Sequence, residues 1–147
     1  VPDPQAQYAA PDGNVEVAND RAAITALGEL VLAAAERAGY SEASRFAVRL
    51  ALEEAVVNAF RHGHKNLSPN ETVEVEFEVD KQSIRLVVTD KGPGFKPNDV
   101  PDPTAEENLT KTSGRGLLLM RAYMTDISHN KAGNQIRMTY SKPDSEC

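Results

Sequence analysis

One cysteine, Cys147, occupies the final position of the chain. That excludes an intramolecular disulfide and a thiolate metal cluster, and it fits a reducing, cytoplasmic setting. A long apolar run is equally missing. Nowhere does the chain approach the roughly 18 consecutive apolar residues that a membrane span requires, and nothing at its start has the form of a signal peptide. The first residue is Val1 rather than methionine, so the true start is expected to lie outside this sequence. Positive charge is short as well: 16 Lys and Arg stand against 22 Asp and Glu, a formal net charge of -6. An acidic balance argues against a nucleic-acid surface, because phosphate backbones call for clustered Lys and Arg. A nucleotide site survives that exclusion, since a few backbone N–H groups and a metal suffice for a triphosphate.

What is present is an ordinary globular composition, 40% apolar and 26% charged over 147 residues. One domain with a real core is expected, with disorder only at the ends. Residues 1–13 (VPDPQAQYAAPDG) carry Pro, Ala and Asp without periodicity and read as a flexible tail. Residues 14–18 alternate as a short strand, and Asn19-Asp20 supplies an N-cap for a helix over 21–38. That helix sets Ile24, Leu27, Leu30, Val31 and Ala34 on one side, and Gly39 sits where a C-terminal glycine belongs.

Ser41 opens a second helix that runs to Gly63, and residues 46–63 (FAVRLALEEAVVNAFRHG) are the stretch around which the chain is organised. At about 100° per residue, Phe46, Val48, Leu50, Leu52, Ala55, Val56, Val57, Ala59 and Phe60 cover most of its circumference, the pattern of a buried helix. Two polar stripes interrupt it. Arg49 and Glu53 are spaced to pair across one turn. Glu54, Asn58 and Arg61 fall within about 60° of arc. Such a stripe often faces solvent between two packed faces; on a largely buried helix its carboxylate and amide instead require a hydrogen-bond partner, a cation or a ligand.

Residues 64–71 read as a polar loop. Residues 72–79 (TVEVEFEV) alternate strictly, with Val73, Val75, Phe77 and Val79 inward and Glu74, Glu76 and Glu78 outward. After a turn at Asp80-Lys81-Gln82, residues 83–90 (SIRLVVTD) return as a more buried strand, completing a hairpin. Residues 91–113 contain Pro93, Pro97, Pro101 and Pro103 without apolar period, the mark of either a lid or a disordered insert. A helix over 117–124 and strands over 126–130 and 134–141 close the chain. No internal repeat is present. The order β-α-α-β-β-loop-α-β-β predicts an α+β fold, a layer of helices on one face of a mixed or antiparallel sheet.

Three segments combine into a possible site: the Glu54/Asn58 stripe, the turn Asp90-Lys91-Gly92-Pro93-Gly94 leaving a strand, and Gly114-Arg115-Gly116 entering a helix. Taken singly each is weak. A D-x-G-x-G turn is often only a tight bend whose glycines take positive φ, and a G-x-G before a helix is as common, although its N–H groups and dipole favour an anion. In this order, separated by a long proline-rich loop, they are far more specific.

With these residues the sequence resembles the Bergerat-fold (GHKL) ATP-binding superfamily, shared by gyrase B, the large heat-shock ATPase chaperones, mismatch-repair ATPases and sensor histidine kinases. It is most similar to the small bacterial anti-sigma-factor serine/threonine kinases, over roughly residues 14–141. The resemblance implies a two-layer α/β sandwich with a mixed, largely antiparallel sheet, and a kinase domain spanning 14–141 with a lid at 91–113 and a short tail at 142–147. In the pattern E-x-x-x-N-A-x-x-H-G, Glu54 matches the general base and Asn58 the residue that holds Mg2+ against the phosphates of ATP. Asp90 matches the carboxylate that accepts from the adenine amino group, with Gly92 and Gly94 letting the backbone close over the base. Gly114, Arg115, Gly116 and Leu117 match the second glycine box, where backbone N–H groups meet the phosphates. Some members carry an arginine where this chain has Thr112, which leaves Arg115 either to contact the γ-phosphate in its place or to point to solvent. His62 fits the family's H-G, with capping or packing favoured over catalysis.

Without a phosphoacceptor histidine in a separate helix pair, a sensor kinase is disfavoured, and with one domain so are gyrase-like machines. The implied activity is ATP- and Mg2+-dependent phosphorylation of an anti-anti-sigma antagonist protein, with control of a sigma factor by partner switching. No direct nucleic-acid or membrane partner is expected. A homodimer through the exposed strand or first helix is left open. The rival readings are a non-catalytic partner-binding switch that binds ATP only structurally or not at all, and a metabolic ATPase.

Overall fold

The computed structural model describes residues 12–63, 70–92, 123–131 and 133–146. Strand β1 (Asp12–Val17) is followed by helices α1 (Arg21–Arg37) and α2 (Glu42–Asn58), then by strands β2 (Val73–Val79), β3 (Ser83–Thr89), β4 (Asp126–His129) and β5 (Gln135–Ser141). The sheet order is β1-β2-β3-β5-β4, and among the described residues all four pairings are antiparallel. The expected hairpin is the β2–β3 pair, with Val79 opposite Ile84. Residues 117–122 of the helix expected over 117–124 lie outside the described residues; of its last two, Tyr123 is helical and Met124 is non-helical and buried.

The caps that the sequence announced close the helix starts. Asp20 Oδ1 accepts from the Ala23 N–H at 2.7 Å, and Ser41 Oγ accepts from the Ser44 N–H at 3.1 Å. Gly39 takes φ 87° after α1, a left-handed conformation that costs glycine little. Gly13 has a different role: a Cβ there would stand 2.6 Å from the Phe77 ring opposite it. The absent side chain leaves that aromatic its place on the core face.

Alternation decides which sheet face is buried. Val73, Val75, Phe77 and Val79 of β2 join Ile84, Leu86 and Val88 of β3 and Ile136 and Met138 of β5 beneath the helices. α1 contributes Ile24, Leu27, Val31, Ala34 and Ala35, and α2 contributes Val48, Ala51, Leu52, Ala55 and Val56. Glu76, Glu78, Arg85 and Arg137 lie on the other, exposed face. One expectation fails on α2: Phe46 is 61% exposed, and Leu50 and Val57 are only half-buried. α2 rests on the sheet beside α1 in a single layer, so among the described residues its outer flank has no further layer to bury against.

Ser44 is the one fully buried polar side chain among the described residues. Its Oγ lies 2.6 Å from the Tyr140 hydroxyl, which ties the start of α2 to the end of the sheet where Tyr140 pairs with Ile84. Replacing a buried hydroxyl strands its partner, so Ser44→Ala is expected to destabilise by roughly 1–2 kcal/mol, or about 2–8 °C in Tm. Adding Tyr140→Phe should recover part of that loss in the same thermal melt, because both polar partners are then gone.

The β2–β3 turn supplies a pH-dependent contribution. The backbone N–H groups of Ser83 and Gln82 donate to Asp80 Oδ1 at 2.7 and 2.8 Å and hold its carboxyl below the ordinary value of 3.8. A depressed native pKa means that the unfolded chain takes up the proton first. The contribution is therefore complete above the unfolded value and fades as pH falls through the native one. Because Asp80 is exposed, screening keeps it small. Asp80→Asn should lower Tm at neutral pH by at most about 3 °C, a difference that closes as melts are taken downward from about pH 4.

Candidate functional site

The two polar stripes of α2 behave differently. Arg49 Nε donates to Glu53 Oε1 at 3.2 Å, the i,i+4 pair that the spacing called for. One position on, Glu54 and Asn58 are half-buried amid the fully buried Ala55, Val56, Ala59 and Phe60. Among the described residues, neither the Glu54 carboxylate nor the Asn58 amide has a side-chain hydrogen-bond or ion-pair partner. Polar groups partly withdrawn from water are normally paired, so this acid and amide one turn apart, unpaired among the described residues, are the candidate groups for a ligand.

The helix changes character directly after Asn58. Residues Ala59–Gly63 form a π-helical turn, and the Ala59 N–H is shared between the carbonyls of Ala55 and Val56. Such turns are rare and concentrate at functional sites. Arg61, which uniform α-helical spacing aligns with Glu54 and Asn58, lies in this turn and is exposed. Nothing in the spacing of the apolar residues distinguishes this turn from a continuing α-helix.

Asp90 follows the last residue of β3, and its backbone is fixed from the neighbouring strand connection. The Asp90 N–H donates to the Asn134 carbonyl at 2.9 Å, and Asn134 Nδ2 donates back to the Asp90 carbonyl at 3.4 Å. Asp90 Oδ1 accepts from the Gly92 N–H at 2.8 Å, an Asx turn that draws the start of the D-x-G-x-G segment against the carboxylate. Asn134 is held in turn by Asn130, whose Nδ2 donates to Asn134 Oδ1 at 2.9 Å and whose Oδ1 accepts from the Gly133 N–H at 2.7 Å. Sequence reasoning missed both asparagines, reading residues 131–133 only as a turn. The signal available was their position flanking Lys131-Ala132-Gly133, where Asn side chains commonly cap a bend.

Helix and strand carry these groups away from one anchored end. From the Ser44–Tyr140 contact, Glu54 and Asn58 lie about 15 and 21 Å along the helix axis. Asp90 lies about 20 Å along the strand from Ile84 at that same end. Gly94, Gly114, Arg115, Gly116 and Leu117 lie outside the described residues, as does most of the 91–113 segment. The open groove lined by Asn14, Glu76, Glu78, Arg85 and Arg137 is on the helix-free face of the sheet and holds none of the site residues named above.

Residues 17–140 match the histidine kinase-like ATPase domain family. The chain is also similar to the serine-protein kinase RsbW of Staphylococcus aureus: it is 28% identical over 98 residues to the proteins of strains RF122 / ET3-1, MRSA252 and Newman. In each case the similarity covers 62% of this chain and 62% of the relative, so the chain spans less than two thirds of the length of these relatives. The family match spans Glu54 and Asn58 of α2, the turn after β3 and residues 114–117, and the chain belongs to the histidine kinase-like ATPase domain family.

Proposed function

We propose that this chain is a cytoplasmic ATP- and Mg2+-dependent protein kinase. It phosphorylates a serine or threonine of an anti-anti-sigma antagonist protein and thereby regulates a sigma factor by partner switching. The observation that carries the reading is the half-buried Glu54–Asn58 pair, without a side-chain partner among the described residues, at the π-turned end of α2, in a chain of this ATPase family. The name of the relatives, serine-protein kinase, supports transfer to a protein hydroxyl over simple hydrolysis.

The donor set fits the groups it would hold. Mg2+ characteristically rests on few protein oxygens, with phosphates and waters in its other positions. Asn58 offers one hard amide oxygen for that purpose. When bound, Mg2+ neutralises charge on the phosphates. Glu54 would accept the proton of the attacking hydroxyl and Asp90 would accept from the adenine amino group; by likeness to the family, Gly92 and Gly94 would let the backbone close over the base and the 114–117 box would meet the phosphates. Phosphoryl transfer requires mainly positioning and charge neutralisation, which such a set supplies.

Mass spectrometry of a small antagonist protein encoded beside this chain, after incubation with the chain, ATP and Mg2+, tests the proposal. A single added phosphoryl group on a serine or threonine is expected. An antagonist that forms a complex with the chain yet stays unmodified would instead favour the non-catalytic switch.

A further inference from the structure

The residue between Asp90 and Gly92 is Lys91, and its side chain leaves the turn to cross the sheet. Lys91 Nζ donates to Thr72 Oγ1 at 2.7 Å and to Glu16 Oε2 at 3.0 Å, with Glu71 Oε2 at 3.8 Å. The Thr72 hydroxyl donates to the same Glu16 oxygen. Glu16 belongs to β1, Thr72 immediately precedes β2, and Lys91 follows β3 by two residues. The three groups thus link the ends of three adjacent strands, a reach of about 10 Å between β1 and β3. Thr72 and Lys91 hold the Glu16 carboxyl below its ordinary range, so it is ionised at neutral pH.

We infer that Glu16, Thr72 and Lys91 form a positioning strap that holds the Asp90–Gly92 turn in its nucleotide-binding geometry. The inference rests on Asp90 contacting the nucleotide, as proposed above. The ion pair is too exposed to matter much for global stability: the Lys91 and Glu16 side chains are 42% and 52% exposed, and exposed ion pairs contribute little. A turn set in place before binding, however, spares the ligand the entropy of ordering it. Asn134 and the Asx turn fix the backbone of Asp90 from the β5 side; the strap fixes the following residue from the β1 side.

Titration of ATP with Mg2+ into the full chain tests this with the variants Glu16→Gln, Lys91→Met and the pair combined. Each single change is expected to weaken ATP by about 3–10-fold with Tm within about 2 °C of wild type, and the double variant is expected to be no weaker than the worse single one. A through-space charge effect on ATP differs at Glu16→Gln alone, since removing a cation weakens an anion's binding in either case while removing a carboxylate tightens it. Tighter binding in Glu16→Gln, or both singles within twofold of wild type while Asp90→Asn loses ATP, overturns the strap and leaves the nucleotide site standing. A wild-type chain that binds no ATP overturns the proposed function and the strap's role together.

Discussion

Glu54→Ala is expected to lower phosphoryl transfer by about 100- to 10,000-fold, the range for removing a positioned general base, while ATP affinity stays within about threefold of wild type. The separation follows from what Glu54 does in the proposed mechanism. Its carboxylate is needed when the attacking hydroxyl loses its proton, and it makes little contact with the nucleotide before then. Alanine suits the helix interior, and because Glu54 has no described side-chain partner, its loss strands no other group. The folded state should therefore persist. Single-turnover transfer measured beside ATP titration reads the two quantities apart, and an equal loss in both would place Glu54 in nucleotide binding.

Asp90→Asn is expected to do the reverse, weakening ATP by about 10- to 150-fold, the equivalent of one hydrogen bond to a charged group. Asparagine keeps an oxygen for the Gly92 N–H that Asp90 Oδ1 now accepts, so the turn should survive. What changes is the second position of the side chain. An NH2 group there faces the adenine amino group donor to donor, where a carboxylate oxygen accepts. Affinity for GTP offers a check, because its ring carries an acceptor at the corresponding position: the variant should lose much of the preference for ATP. A variant that binds ATP as wild type does would remove Asp90 from base recognition.

Local features proved the most legible. Strict alternation in residues 72–79 placed Val73, Val75, Phe77 and Val79 inward, as found, because a strand with one wet face has a period of two that few other structures share. Asp20, Ser41 and Gly39 marked helix ends through chemistry that acts within three or four residues. Arg49–Glu53 followed from one helical turn.

Features that depend on distant neighbours were less legible. The apolar circumference of α2 pointed to burial all round, yet Phe46 is exposed, since periodicity records which side chains can be buried and not how many layers the fold provides. The support of Asp90 by Asn134 is a contact between segments far apart in sequence, and the π-helical turn after Asn58 leaves no mark in the apolar spacing. The proposed site draws on residues near 54, 90 and 115, which no single window of the sequence spans. Its outline came from the order of three short motifs and their likeness to a family, and the match over residues 17–140 supports the family without assigning roles to side chains.

The central claim is that Glu54 and Asn58 of α2 and Asp90 after β3 serve one bound nucleotide. Heteronuclear NMR of the 15N-labelled chain, titrated with ATP and Mg2+, tests it most directly through the Asn58 side-chain amide and the Gly92 backbone amide. Both signals are predicted to shift along curves with one shared dissociation constant. ATP binding that moves either signal while the other stays in place would contradict a common site.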